Sequence, residues 1–416
     1  MNKRMNRERL NIGAYFLKPY AHTQNHVKDV KDCGVDFIVC LENDRAVLDL
    51  FAEFGLGAIV TGVLPGWWGG DGHNAGTMAE KNPLCAYEEA AECFEDHPAI
   101  WGIDTGDEPS ALDFPHYGKV IDFTDRYFKN QFPYINLYPN YAVVAGNTGE
   151  QIVNQLGTTT YEEHIAQYVK HVPTDYICYD FYVYSQAEDK TIEIAVRNAF
   201  DNLWTVSDAC RDTGRSMWIV LQVNSDNIDI KISVNQLRFQ AYTAMAFGTE
   251  NIIWGCYTKG WWHHNVLDEE GNKTEQYDKL RLMNWELRNL GDAYMRFRRT
   301  STHLIGFPGT MRGTCTSYSD GFIKELHAEN DAPLICGAMI GRSCGDHAYL
   351  LCTCDDPGDE HPNVNSVSFR TNSRTAILHL ADGNRKVLLP NNGVCRFELP
   401  SNHGALLEIC EQENKI

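Results

Sequence analysis

The sequence predicts an α/β chain: a (β/α)₈ barrel followed by a smaller C-terminal antiparallel β-sandwich. Three observations carry this. The first 300 residues alternate short, near-continuous apolar or aromatic runs with longer helical stretches, as parallel strands buried on both faces require. No glycine-rich dinucleotide turn follows the first of these runs, which disfavours a doubly wound open sheet, the runner-up. After Thr300 the texture changes to short alternating segments separated by turn clusters, the pattern of an antiparallel sandwich. At 416 residues the chain also exceeds what a single core usually serves. The predicted division is 1–300 for the barrel and 301–416 for the sandwich.

The predicted barrel strands are Asn11–Leu17, Asp36–Leu41, Gly57–Leu64, Ile100–Asp104, Tyr134–Tyr138, Tyr176–Tyr182, Met217–Val223 and Asn251–Tyr257. Between them fall helical patterns at His22–Cys33, Arg45–Phe54, Tyr87–Glu95, Asp113–Asn130, Tyr161–His171, Ile192–Thr213 and Val234–Phe247. Thr274–Arg299 is the eighth. Gly34, Gly55, Gly214 and Gly248 stand where helices exit, the position a left-handed cap favours. In the C-terminal part, strands are predicted at Ala348–Leu351, Ser366–Arg370, Ala376–Leu380, Lys386–Leu389 and Cys395–Leu399.

The net charge is −20, from 36 Lys plus Arg against 56 Asp plus Glu, and no Lys/Arg cluster in the sequence offsets it. Such a field repels nucleic acid and acidic membranes, so neither is an expected partner. The basic amino terminus leads into an apolar stretch too short for a signal-peptide core, and no membrane-spanning run occurs. The expected location is therefore cytoplasmic, or secreted if a signal peptide has been removed. The 14 cysteines are scattered, without a CxxC pair, and suit free thiols in a reducing compartment. No metal site and no cofactor is predicted. The run Gly69-Gly70-Asp71-Gly72 is acidic and unsuited to cradling phosphate.

Side chains at the C-terminal ends of barrel strands face the active site. Aromatic residues concentrate there: Trp67 and Trp68 after the third strand, Tyr182 after the sixth, Tyr257 at the eighth, then Trp261 and Trp262. Sugar rings offer apolar faces to such side chains, and sugar hydroxyls need polar partners. His22, Asn140, Tyr182, Gln222 and Asn224 are the candidates for hydroxyl contacts. Glycoside hydrolysis also takes a carboxylic acid and usually a second carboxylate. Glu108, in Asp107-Glu108-Pro109 after the fourth strand, is the candidate acid, with Asp107 tuning it by like-charge repulsion and holding a hydroxyl. Asp-Glu-Pro-Ser also reads as the start of a helix.

The strand-four turn Gly106-Asp107-Glu108-Pro109, the segment Asn251-Ile252-Ile253-Trp254-Gly255 and the tail Leu267 to Thr274 together resemble the glycoside hydrolase clan of (β/α)₈ barrels that includes the family 42 β-galactosidases. The resemblance implies a glycosidase with Glu108 as acid/base. It breaks in two places: the clan carries Asn where this chain has Asp107, and a nucleophilic Glu where strand seven ends in Gln222. An amide forms no glycosyl ester. Asp180, in Tyr179-Asp180-Phe181-Tyr182, is then the expected second carboxylate. Two other accounts stand beside this one: a Gln222 introduced by mutagenesis, and a barrel that binds carbohydrate without cleaving it. The expected partner is a carbohydrate substrate. Rim loops this rich in Trp also suit a subunit contact, so a homo-oligomer is compatible.

Overall fold

In the computed structural model the residues described are 4–69, 74–142, 155–309, 311–372 and 375–409. Gly70 to Gly72 of the acidic glycine run lie outside them.

Eight parallel strands form the first sheet: β1 (Asn11–Tyr15), β2 (Phe37–Glu42), β3 (Gly57–Thr61), β4 (Ile100–Asp107), β5 (Phe132–Asn136), β6 (Tyr176–Phe181), β7 (Ser216–Gln222) and β8 (Thr249–Gly255). Each pairs with its neighbours in chain order, and β1 pairs with β8. The remaining seam, between β5 and β6, is bridged just past β5, where the Leu137 N–H donates to the Cys178 carbonyl at 2.9 Å. The sheet is therefore a closed (β/α)₈ barrel.

The helices are α1 (Gln24–Asp32), α2 (Arg45–Phe54), α3 (Met78–Lys81), α4 (Leu84–Ala91), α5 (Phe114–Tyr127), α6 (Tyr161–His171), α7 (Val183–Asp189), α8 (Ile192–Thr213), α9 (Val234–Ala246) and α10 (Glu275–Tyr294). Their starts follow local chemistry. Asp44 and Thr160 accept backbone N–H bonds as N-caps of α2 and α6, and Ser233 with Gln236 closes a capping box on α9.

Alternate residues of each strand point into the barrel. Tyr15, Phe37, Val39, Ile59, Phe132, Tyr134, Tyr176, Trp218, Val220 and Ile253 fill it as one packed cluster. Tyr176 stacks on Trp218 with centroids 4.1 Å apart, and the Tyr15 and Tyr134 hydroxyls meet at 2.8 Å. This aromatic plug is the floor on which any site at the strand ends must rest.

Helix α10 stops at Tyr294 rather than running to Arg299 as the sequence suggested. Phe297–Ile305 instead forms β9; β10 (Thr314–Cys315), β11 (Ile323–Ala328) and β12 (Leu334–Gly341) follow, and β9 pairs with β12 in a seven-stranded sheet that shares a buried cluster with a three-stranded one. Its residues Phe297 to Thr300 alternate buried and exposed, the period of a strand. Strand β12 also escaped the sequence reading because it is buried almost throughout and carries no alternation. At Gly337 it passes so close to α9 that a Cβ would lie 2.3 Å from the Ala246 carbonyl oxygen. Leu304, Ile335, Met339, Leu350 and Leu406 belong to the same buried cluster as the barrel helices, so the two parts share a core.

Candidate active site

The end of β4 is irregular, and the irregularity aims its side chains. Its register against β5 slips between Asp104 and Gly106. Gly106 adopts φ +144°, and a Cβ there would lie 2.0 Å from the Tyr117 hydroxyl. Next, Asp107 bridges to Trp68, giving its N–H to the Trp67 carbonyl and accepting from the Gly69 N–H, both at 2.9 Å. Glu108 sits in the left-handed region at φ +47°, an uncommon state for a non-glycine residue. Its N–H donates to the Asn136 carbonyl at 2.8 Å, which holds the strained residue in place. The alternative reading of Asp-Glu-Pro-Ser as a helix start does not hold. Helix α5 begins only at Phe114, and the preceding Asp113 carboxylate accepts from the Gly76 and Met78 N–H groups of another segment.

Three carboxylates converge at this end of the barrel. The side-chain amide of Asn136, the last residue of β5, donates to Asp180 Oδ1 at 2.8 Å and to Asp107 Oδ1 at 3.2 Å. Asp180 is buried at the end of β6 and also takes a bond from the Tyr141 side chain. Glu108 Oε2 accepts from the Trp68 indole N–H at 3.3 Å. Burial, and then the Asp180 charge, push Asp107 up to about 7. Burial raises Asp180 to about 6 against the bonds from Asn136 and Tyr141. Glu108 is raised well above the ordinary carboxylate range, by burial first, then Asp180, then Asp107. The neighbour named in the sequence reading is thus the smallest of these three influences. One layer below, burial also raises Asp104, whose carboxylate meets the Cys40 thiol. So many close, desolvated carboxyl groups do not all ionise together near neutrality.

An aromatic wall surrounds the cluster. Trp68 is 58% exposed beside Glu108. Tyr182 packs edge-on against Trp262 at 4.7 Å, and Trp261 contacts Tyr15, Phe16 and Tyr182. Asp107, Glu108, Asp180, Trp68, Tyr182, Trp261 and Trp262 are therefore brought to the same end of the barrel.

Six other sequence candidates are engaged elsewhere. Trp67 is 7% exposed and belongs to the core between barrel and helices, because adjacent residues of an extended segment point to opposite sides. Tyr257 is fully buried in that same core, toward Cys33 and Tyr277. Asn140 docks on α8, giving its amide to the Asn198 carbonyl at 2.9 Å and its backbone N–H to Asn202. Asn224 is buried and staples the loops, bonding Trp261 O, Asn265 Oδ1 and Cys256 N. It positions Trp261 rather than a ligand. Gln222 is buried too, and its amide oxygen caps α7 through the Tyr184 and Ser185 N–H groups at 3.0 and 3.2 Å. His22 is partly buried, with Nε2 on the Leu17 carbonyl at 2.8 Å, and no bond ties it to the cluster.

Asn136 is the residue the sequence reading missed. Placing the fifth strand at Tyr134–Tyr138 pushed the rim two residues too far, so Asn136 counted as interior. Among the described residues, no three His, Cys, Asp or Glu side chains are arranged to hold a metal ion, and no helix is long and apolar enough to cross a membrane.

No family model matches the chain, and no curated protein matches it. Solved structures similar to it include glycoside hydrolases. A GH30 endoxylanase from Clostridium papyrosolvens C71 is 11% identical, with 97% of this chain and 96% of that one covered, at a TM-score of 0.41. A 4-O-alpha-L-rhamnosyl-beta-D-glucuronidase from Fusarium oxysporum 12S is 7% identical over 98% and 97%, at 0.46. An Anoxybacillus alpha-amylase is 8% identical over 99% and 100%, at 0.42.

Two predictions follow from the geometry. A Cβ at Gly69 would lie 1.5 Å from the Glu108 carbonyl oxygen and 2.7 Å from the Tyr138 hydroxyl. Gly69→Ala is therefore expected to displace the Glu108 turn and to destabilise the fold by about 1–3 kcal/mol, read as a lower denaturation midpoint. The second concerns Asp107. Its native pKa of about 7 stands above the ordinary 3.8, so between those values the native state holds a proton that the unfolded chain has lost. Stability then falls as pH rises through that window. Asp107→Asn removes this slope. Its melting temperature should exceed the wild type's above pH 7 and converge with it near pH 4; a constant offset at every pH would contradict the assignment.

Proposed function

We propose that this chain is a glycoside hydrolase that cleaves O-glycosidic bonds by carboxylate catalysis. The observation that carries the reading is the hydrogen-bonded carboxylate cluster of Asp107, Asp180 and Asn136, with Glu108 beside it under an exposed tryptophan. Glu108 protonates the leaving oxygen: its partly desolvated position keeps a proton available near neutral pH, and Trp68 orients the carboxyl. Asp180, held by Asn136 and Tyr141, is the base or nucleophile. Asp107 competes with Asp180 for the Asn136 amide, and its charge adds to burial and to the Asp180 charge in keeping the Glu108 proton in place. Trp68, Tyr182 and Trp262 give the sugar ring its stacking surfaces. A Glu108 to Asp180 separation of roughly 6.5–9.5 Å in the substrate complex corresponds to inversion, and one near 5 Å to retention.

The capped Gln222 favours a second reading, a barrel that binds carbohydrate without cleaving it, since the amide offers no nucleophile. A panel of aryl glycosides and oligosaccharides of both anomeric forms separates the two. Product release by the wild type supports the hydrolase. Saturable quenching of tryptophan fluorescence with no product over long incubation supports the binding protein.

A further inference from the structure

The opposite end of the barrel holds a feature that cleavage at Glu108 does not use. A cavity of about 470 Å³ opens there between the barrel and the sandwich. Arg211, Arg215, Arg298, Arg299 and Arg342 line it, together with one carboxylate, Glu250. The location follows from the elements. Arg215 and Glu250 lie at the starts of β7 and β8, Arg211 in the last turn of α8, and Arg298 and Arg299 on β9. These are the strand ends remote from Asp107 and Asp180, the face of a barrel that serves stability rather than chemistry.

Positive charge is in excess here, in a chain whose net charge is −20. Glu250 pairs with Arg342. Asp208 is shared by Arg211 at 2.8 Å, Arg299 at 3.1 Å, and Arg312 just outside the cavity. Asp212 takes Arg211 again, at 2.8 Å. Arg298 and Arg215 have no carboxylate partner among the described residues. Arg215 instead gives one nitrogen to the Val169 carbonyl at 2.9 Å and leaves Nη1 buried without a hydrogen-bond partner. Six arginines thus share three carboxylates. Burial lowers the Arg299 pKa against the charge and hydrogen bond of Asp208, and the charges of Arg211 and Arg312 lower it further. Folding holds like charges together in a concave space, and an anion is what would relieve them.

We propose that this cavity binds a phosphate-type oxyanion, with the exposed and unpaired Arg298 as its principal free donor, and that the occupant braces the barrel against the sandwich. Arginine forks suit tetrahedral oxyanions because they offer paired N–H groups. A ligand that binds only the folded state raises the melting temperature as its concentration rises.

The test is calorimetric titration of the full-length chain with inorganic phosphate against sodium chloride of equal ionic strength, with thermal unfolding alongside. The wild type should bind phosphate saturably, at about 1 mM or tighter, and melt higher in phosphate than in matched chloride. Arg298→Gln changes an exposed, unpaired side chain and should fold normally yet weaken phosphate about tenfold; Arg298→Lys, which keeps the charge but not the fork, should weaken it less. A hexose phosphate that binds more tightly than inorganic phosphate would support the site with a phosphate ester as its occupant. Absence of saturable binding in the wild type, or wild-type affinity in Arg298→Gln, would overturn the proposal.

Discussion

Asp180→Asn is expected to reduce turnover on the order of 10²–10⁴-fold and to leave the protein folded. The amide keeps an oxygen to accept from Asn136 and Tyr141 but loses both the charge and the basicity that the reaction needs. It also removes the strongest like charge acting on Glu108 and Asp107, so both should titrate lower in the variant. Two readouts therefore move together: the rate collapses, and the alkaline limb of any residual pH–rate profile shifts toward acid. Added azide should restore part of the rate, because a small anion fits the space from which the carboxylate charge was removed. Unaltered kinetics would make Asp180 a structural residue of the Asn136 network.

Glu108→Gln carries the second large effect. General acid catalysis contributes about 10²–10⁴-fold, and the deficit should depend on the leaving group. Oligosaccharides, whose alkoxide leaves poorly, should show the full loss. Aryl glycosides with strongly acidic phenols need little protonation and should show much less. The Trp68 indole that donates to Glu108 Oε2 at 3.3 Å meets an oxygen in Gln only if the amide orients correctly, so a small change in Trp68 fluorescence is also expected. An equal loss for both kinds of leaving group would assign Glu108 to binding rather than proton transfer.

The barrel was legible in the sequence because parallel strands buried on both faces leave apolar runs, and helices facing them leave a different period. Helices α2, α6 and α8 begin and end where that period does. The sandwich was less legible: β12 lies buried on both sides and reads as one apolar run, while β9 continues without a turn signal from a helix. Rim residues were the harder case, because they depend on where a strand stops and which way each side chain then points. Two residues of register at β5 hid Asn136. Trp67 and Trp68 are chemically alike and adjacent, yet one is core and the other is exposed. Polar residues drawn to the rim by type alone, Asn140, Gln222 and Asn224, satisfy backbone groups that loops leave open, a need that sequence does not display. The arginine cavity was invisible for a different reason. Apart from the adjacent Arg298 and Arg299, its arginines are scattered between 211 and 342, and only closure of the barrel against the second sheet collects them.

Cleavage of a glycosidic bond by the carboxylate cluster is tested most directly by hydrolysis in water labelled with heavy oxygen. Wild type, Glu108→Gln and Asp180→Asn would be incubated with the same oligosaccharide panel and the products read by mass spectrometry. The account predicts a new reducing end carrying the label in the wild-type reaction and its loss in both variants, with all three proteins equally folded. Labelled product formed as fast by the variants, or none from the wild type with any glycoside of either anomeric form, would contradict it.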